Sequence, residues 1–438
     1  MTTTIHHLPV PAAMPRFVDP FDGFFDREGG APAPAPGSLL DTGEARAWFE
    51  HLAWGVEQGL YGYQQPVEAV AGVRVRSNGR WLLSLSSYDY LGLRGHPAVA
   101  AGAVAAVRRY GTGSGGVRLL TGTLELHRAL ERDLAAFKGT EACLVLGSGY
   151  LANLAALTAL LGPRDRAIID AKVHRSIVDG CRLAGVPTTR FAHNDLQHLE
   201  RALAAGHPRG RTLIVVEGAY SMDGDLSPLP GVVELKRRCG AFLMVDDAHS
   251  FGTLGETGRG ADEHWGLPGG AVDVWTGSLS KAIPAGGGFV AGSRELMVFL
   301  QHAAAPFIFS AALCPSAVGA ARAALAVLRS EPERAVRACH NGAELRRRLG
   351  EMGYDTGSST TPIIPVLLGP REAAYRAARR LFELGVAVSA VTYPAVAPTN
   401  SRLRLCATAG LSDPDLDTAL DAFRTLRQEL DLPHATAP

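Results

Sequence analysis

The alternation of hydrophobic and polar positions changes character twice along this chain. Between about residue 96 and residue 330, short apolar runs alternate with helix-length segments. The runs are Cys143–Leu146, Ala167–Asp170, Thr188–Ala192, Thr212–Val216, Phe242–Val245, Val272–Trp275 and Gly288–Ala291. A stripe at Leu126, Leu130, Leu134 and Phe137 marks one of the helices. Strands that are apolar on both faces and alternate with helices predict an α/β fold with a mostly parallel central sheet covered by helices. Past about residue 330 the pattern becomes that of a smaller α+β unit. It has strands at Ile363–Leu368, Val386–Val391 and Leu403–Ala407 and a helix at Glu372–Leu384 closed by Gly385. A final helix opens at Asp413-Pro414 with a stripe at Leu416, Leu420, Phe423 and Leu430.

The organisation expected is a tail over 1–42, a helix and strand segment over 43–95, a large domain over 96–330 and a small C-terminal α+β domain over 331–438. The strand-like runs of the second segment are Val73-Arg-Val-Arg and Trp81-Leu-Leu-Ser-Leu. The tail carries the Ala-Pro repeat Ala31–Ser38 and reads as a poorly ordered arm. Docking of Phe21, Phe24 and Phe25 on the body or on a partner is the alternative.

Composition narrows the function classes. The 438 residues hold 43 basic and 43 acidic side chains, so no net field draws the chain to nucleic acid or anionic lipid. A hydrophobic fraction of 47% provides for a large core. The six cysteines are scattered, which fits a reduced compartment and argues against a zinc knuckle. With no signal peptide and no membrane span in view, a cytoplasmic protein is expected. Only four of the basic residues are lysines, namely Lys138, Lys172, Lys236 and Lys281, so chemistry that needs a primary amine has four candidates.

Several strand ends concentrate reactive side chains. Phe242-Leu-Met-Val-Asp-Asp-Ala-His249 delivers Asp246, Asp247 and His249 to a C-terminal strand edge, where ligands bind in open α/β sheets. A buried carboxylate there needs a cation. The alternatives are loop capping and a metal site, and for the latter no third ligand lies at a suitable spacing. Val272-Asp-Val-Trp-Thr-Gly-Ser-Leu-Ser-Lys281 ends in Ser278, Ser280 and then a lysine, followed by Gly286-Gly-Gly288. That setting suits a Schiff-base amine beside an anion-binding loop. Lys236 reads as a surface residue, Lys138 as a helix-end cation, and Lys172 as the rival to Lys281. Leu146-Gly-Ser-Gly-Tyr-Leu-Ala-Asn153 leads a strand into a helix whose N-terminal amides can hold a phosphate, with Tyr150 near its ring. His174 follows a strand and suits an aromatic cofactor face, although a lone histidine is often structural. Glu217 and Ser221 end another strand, where a solvated turn is the alternative. Gly111-Thr-Gly-Ser-Gly-Gly116 matches a dinucleotide fingerprint, but a helix rather than a strand precedes it, so that reading fails.

A lysine amine, a carboxylate, a phosphate-holding helix start and an aromatic-face histidine together describe a site for pyridoxal 5'-phosphate (PLP). Longer motifs add a family resemblance. Ser86-Ser-Tyr-Asp-Tyr-Leu-Gly-Leu93, Gly113-Ser-Gly-Gly-Val-Arg-Leu-Leu-Thr-Gly-Thr123, His193-Asn-Asp195, Glu217–Asp225, Asp246-Asp-Ala-His-Ser250, Gly258-Arg-Gly260 and Ser280-Lys281 resemble the α-oxoamine synthases. That family includes aminooxononanoate synthase, aminolaevulinate synthase and serine palmitoyltransferase. The similarity spans about residues 80–415 and leaves out the tail.

The resemblance implies PLP-dependent transferase fold type I and a homodimer with shared active sites. It implies that Lys281 holds the cofactor as a Schiff base and moves the Cα proton. Asp246 would pair with the pyridinium nitrogen, His249 would sit by the phenolic oxygen, and His174 would stack on the ring. Ser148, Gly149 and Tyr150 would cradle the cofactor, with Glu217 and Ser221 close by. Ser278 would meet the phosphate, and Ser310 would reach it across the dimer. Arg404 would clamp the amino acid carboxylate, with Arg402 as the fallback. The function implied is condensation of glycine, alanine or serine with an acyl thioester on coenzyme A or a carrier protein, usually with decarboxylation. An aminotransferase or carbon–carbon lyase on the same fold is the alternative.

Three departures stand out. Tyr88 replaces an asparagine that faces the substrate in many relatives, the run after the lysine is Lys281-Ala-Ile-Pro284, and Tyr61-Gly-Tyr-Gln-Gln-Pro66 lacks the arginine some members use for a distal carboxylate. With the unusual tail, these point to specialised metabolism and away from a dicarboxylate-type donor.

Overall fold

The structure, a computed structural model, describes residues 17–25, 32–206 and 210–433. After the helix Gly43–Glu57, three short strands β1 (Ala69–Ala71), β2 (Arg74–Ser77) and β3 (Arg80–Ser84) form an antiparallel meander. The central sheet then takes β4 (Ala142–Leu146), β5 (Arg166–Asp170), β6 (Thr188–Phe191), β7 (Thr212–Glu217), β8 (Phe242–Asp246), β9 (Val274–Ser280) and β10 (Pro284–Gly292). Its order is β4-β10-β9-β8-β7-β5-β6, and every pairing is parallel except those of β10, which runs against both β4 and β9. Ile168, Ile169, Ile214, Val215, Leu243 and Val245 have no exposed surface, which is the consequence of helices on both faces. This is the mostly parallel, helix-covered sheet that the apolar runs predict.

The C-terminal part adds β11 (Ile363–Gly369), β12 (Val386–Ala387), β13 (Ser389–Val391) and β14 (Ser401–Cys406). Strands β11, β14 and β13 make a sheet of their own. The single strand expected over Val386–Val391 is two. β12 pairs in parallel with β3 and completes the meander, whereas β13 pairs with β14. The 43–95 segment and the C-terminal part therefore share a sheet and a core, in which Leu60, Leu83 and Leu85 pack with Leu403, Leu405 and Phe423.

Strand β9 continues to Ser280, five residues beyond the expected end at Trp275. Pairing with β10 carries it that far, and Lys281 consequently sits in the tight connection where Ser280 and Pro284 still face each other. Among the described residues no helix is long and apolar enough to cross a membrane.

Part of the tail departs from the reading of a loose arm. Phe21 packs on Tyr61 with ring centroids 5.1 Å apart, and Phe25 is buried. Residues 1–16 and 26–31 lie outside the described residues.

Candidate active site

Sheet register brings the first three groups together. Glu217 at the end of β7 pairs with Asp246 at the end of β8, which pairs with Thr276 in β9. Residues aligned in this way project from one face of a parallel sheet. Asp246 is 6% exposed, and its Oδ2 accepts from Asn153 Nδ2 at 2.7 Å while Oδ1 accepts from the Ala248 N–H at 3.0 Å. Asn153 also donates to Ser176 Oγ (2.8 Å) and accepts from Thr276 Oγ1 (2.6 Å). Ser176 in turn lies 2.7 Å from His174 Nδ1.

Glu217 is buried rather than in a solvated turn, and it accepts from the His174 backbone N–H. Burial first, then the nearby Asp246 charge, pushes its carboxyl well above the ordinary carboxylate range. Burial also lowers the His174 imidazole, which Asp246 opposes. The Tyr150 ring stands edge-on to His174 at 6.2 Å, with its hydroxyl donating to Asp179.

Lys281 completes the group. Its Nζ lies 2.9 Å from His249 Nε2, and His249 Nδ1 lies 2.9 Å from the Tyr90 hydroxyl. Burial lowers the Lys281 amine, while Asp246 and Glu217 pull the other way. Burial, then the Lys281 charge, drives the His249 imidazole well below its ordinary value.

The other lysines are elsewhere. Lys172 is half-exposed and pairs with Asp223 at 3.1 Å, and Lys236 pairs with Asp273 at 2.7 Å. Lys138 closes the helix Glu125–Lys138 before Gly139, as expected, and has a further role. It is fully buried between Asp247 (2.6 Å) and Asp262 (2.5 Å), with Trp275 under its Nζ at 3.7 Å. Asp247 is therefore committed to Lys138 and Ser250 rather than to Lys281.

The helix start after β4 packs closely on β9 and β10. Ser148 caps the helix Gly149–Leu160 by accepting from the Leu151 N–H. A Cβ on Gly149 would meet Ser278 Cβ at 3.2 Å, and one on Gly288 would collide with the backbone of Ser148 and Gly149. Helix start, Ser278 and the glycines of β10 are thus in contact. Ser278 Oγ is 2.8 Å from Ser280 Oγ. Ser310 is half-buried in the turn after the short helix Ala305–Ile308, and within one chain none of its described contacts reaches this corner.

The two arginines of β14 differ. Arg402 is 2% exposed and occupied, with Nη1 on Asp223 (2.9 Å) and on the Met222 carbonyl (3.0 Å). Arg404 donates through Nε to the Ser221 carbonyl, its Cζ lies 4.5 Å over the Tyr88 ring, and its buried Nη2 has no partner. Tyr88 also stands edge-on to His249 at 5.9 Å. One arginine is committed to the fold, and the other keeps a donor free beside the lysine.

Tyr90 and Asn153 are site residues that sequence reasoning passed over, although both lie inside motifs it singled out. The residues fit PLP on grounds internal to the chain. A lowered buried amine, an oriented carboxylate, an amide-rich helix start and an orphaned guanidinium nitrogen each match a different part of the cofactor or of an amino acid bound to it.

Known proteins agree. The family model "Aminotransferase class I and II" matches residues 81–423. The 8-amino-7-oxononanoate synthase of Geobacter sulfurreducens is 46% identical over 376 residues, covering 85% of this chain and 96% of that protein. That of Exiguobacterium sibiricum is 42% identical over 388 residues, covering 88% and 99%. Among solved structures, the serine palmitoyltransferase of Sphingomonas wittichii superposes with a TM-score of 0.86 at 32% identity, over 90% of this chain and 98% of that one. A serine palmitoyltransferase of S. paucimobilis with a bound PLP–myriocin aldimine gives 0.86 at 30% identity, over 89% and 98%. The chain belongs to the class I and II aminotransferase family and, within it, to the α-oxoamine synthases, PLP-dependent acyltransferases that join an amino acid to an acyl thioester.

Proposed function

We propose that this enzyme condenses alanine with an acyl thioester and releases carbon dioxide, a free thiol and an α-amino ketone. The name 8-amino-7-oxononanoate describes an amino carbon bearing a terminal methyl beside a ketone, which is the skeleton alanine leaves after losing its carboxyl. The observation that carries the reading is Lys281. Of the four lysines it alone has no ion pair among the described residues, and, half-buried, it touches an imidazole instead.

When bound, PLP supplies an aldehyde for an amine to engage and an electron-accepting ring. Lys281 would hold the cofactor through its Nζ and, once freed by the substrate amine, would be the group placed to take the Cα proton on that nitrogen. Its lowered pKa favours the neutral amine that both tasks need. Asp246, fixed by Asn153 and the Ala248 amide, holds a proton on the ring nitrogen. His174 covers the ring, with Tyr150 beside it and Glu217 behind its backbone. His249, backed by Tyr90, meets the ring hydroxyl. The Gly149 helix start, Ser148 and Ser278 hold the phosphate. Arg404 takes the amino acid carboxylate on its free Nη2, over Tyr88, with the Ser221 carbonyl fixing its Nε.

We further propose a homodimer. Leu120 and Phe309 are 77% and 81% exposed, and the bridge between Val117 and Ala311 ties their two segments together. A second copy over this patch removes apolar surface from water and brings Ser310 towards the other copy's phosphate corner. The six unpaired cysteines suit a reducing cytoplasm.

The test is chemical. Borohydride reduction of the holoenzyme fixes the cofactor to the peptide holding Lys281. Lys281→Ala loses that linkage and Lys172→Ala keeps it. Alanine with an acyl-CoA releases thiol, and the ketone product is read by mass spectrometry. Fixation at Lys172, or amino transfer to an oxo acid without thiol release, overturns the reading.

A further inference from the structure

The N-terminal arm packs on the body and forms one wall of a cavity. Phe17 packs on Phe382 with ring centroids 4.9 Å apart, and a Cβ on Gly62 would come within 2.7 Å of its ring. The absent side chain at 62 is what lets the ring seat. Val18 is fixed at both ends of its backbone unit, its N–H donating to Gln65 Oε1 (2.7 Å) and its carbonyl accepting from Gln65 Nε2 (2.8 Å). The arm lies outside the part of the chain that the family model matches. The family model begins at residue 81, and the Geobacter relative is matched over 96% of its own length by only 85% of this chain.

Behind Phe17 lies a cavity of about 320 Å³. Two features connect it to the active site. Ser86 and Ser87 on its wall run directly into Tyr88. Ser389, also on its wall, pairs in register with Arg404, and cross-strand partners project from the same face of a sheet. Apart from Arg94, no charged side chain lines the cavity. Its size lies at the lower end of the range of about 300–1,000 Å³ for small-molecule pockets.

We infer that the hydrocarbon chain of the acyl donor occupies this cavity and that Phe17 is the wall that sets the chain length accepted. The inference rests on the acyltransferase reading above, since the reaction must place an acyl chain beside the amino acid and this cavity, whose wall mixes apolar side chains with uncharged serines and glutamines, adjoins the segments that carry Tyr88 and Arg404. An aromatic ring at the closed side of such a pocket limits length sterically, and one methylene more or less changes kcat/KM by about 10–200-fold.

The test uses the full-length holoenzyme with alanine and a ladder of straight-chain acyl-CoAs, with thiol release as the rate. Phe17→Ala opens the wall and should move the optimum to longer chains, raising the long-to-short ratio of kcat/KM by about 10-fold or more. Val67→Trp, at an exposed position on the cavity lining, should move it to shorter ones without depending on the arm's packing. The alanine KM and the alanine-induced change in cofactor absorbance should stay at parent values in both. Thiol release with a chain-length profile unmoved in both variants overturns the inference and leaves the acyltransferase reading standing. No thiol release by the parent from any donor overturns that reading, and this inference with it.

Discussion

The Lys281 amine and the His249 imidazole meet at 2.9 Å, in a place where burial penalises the charge of both. Two like cations in contact without water are costly, so each favours the neutral form of the other. A neutral imidazole has one N–H and one lone pair, and its second nitrogen is met by Tyr90. Burial and this contact both act to lower the Lys281 amine, against the pull of Asp246 and Glu217, and the imidazole it meets is itself held in place from behind.

That backing makes the Tyr90 hydroxyl testable. Tyr90 is 1% exposed, and burial raises its hydroxyl well above the ordinary phenol range, so it remains protonated. Tyr90→Phe keeps the ring and removes the group that meets Nδ1. A buried imidazole nitrogen left without a partner costs about 1–3 kcal/mol. The expected result is a lower denaturant midpoint at an unchanged slope, with the cofactor retained. An unchanged midpoint would show that the contact contributes nothing.

Asn153 is expected to act on the cofactor through Asp246. Asn153→Ala removes the 2.7 Å donor to Oδ2 and also the bonds to Ser176 and Thr276. A hydrogen bond to a charged group contributes about 1.5–3 kcal/mol, and each 1.4 kcal/mol is tenfold in affinity. PLP dissociation should weaken about 10–100-fold, measured by equilibrium dialysis. Asn153→Gln, which keeps the amide, should recover part of it, whereas a merely structural role would show no such rescue.

These two residues also show where sequence reading stops. Asp246 and Lys281 are legible because a charged group at the end of an apolar strand is costly unless it has a use. Tyr90 and Asn153 look like ordinary motif residues until folding brings them to partners 159 and 93 positions away. Lys138 is legible as a helix-end cation, but its ion pair is not, its partner Asp247 being 109 positions distant. The parallel sheet follows from strands that are apolar on both faces, but the reversed direction of β10 does not, because its glycine-rich start carries no periodicity. The division of Val386–Val391 between two sheets is likewise decided by which neighbours, β3 or β14, offer free edges.

The two arginines of β14 should separate cleanly. Arg404 keeps a buried Nη2 without a partner, so Arg404→Lys, which loses the planar fork, should raise the alanine KM about 10–100-fold with the fold intact. Arg402 spends its donors on Asp223, Met222 and Asn400, so Arg402→Lys should lower the unfolding midpoint and leave KM near the parent value. Steady-state kinetics and thermal melts on both variants check this. The opposite pattern would move the carboxylate to Arg402.

The last expectation concerns pH. His193 lies between Asp170 (2.8 Å) and Asp225 (2.9 Å), with the Tyr220 ring edge-on at 4.4 Å. Burial works to lower its pKa, but the bonds to the two carboxylates outweigh that and push it up to about 9. The ordinary value is 6.5, so the imidazolium is favoured in the folded state. Its stabilisation is complete below pH 6.5 and is lost as pH rises through about 9. The same bridge holds the 218–226 turn, whose Ser221 carbonyl orients Arg404. Thermal stability should therefore fall between about pH 7 and pH 10 with a component that His193→Gln abolishes, and the alanine KM should rise over the same interval. Melting curves and initial rates across that range decide it. A His193→Gln profile parallel to the parent's would show that the bridge carries no charge.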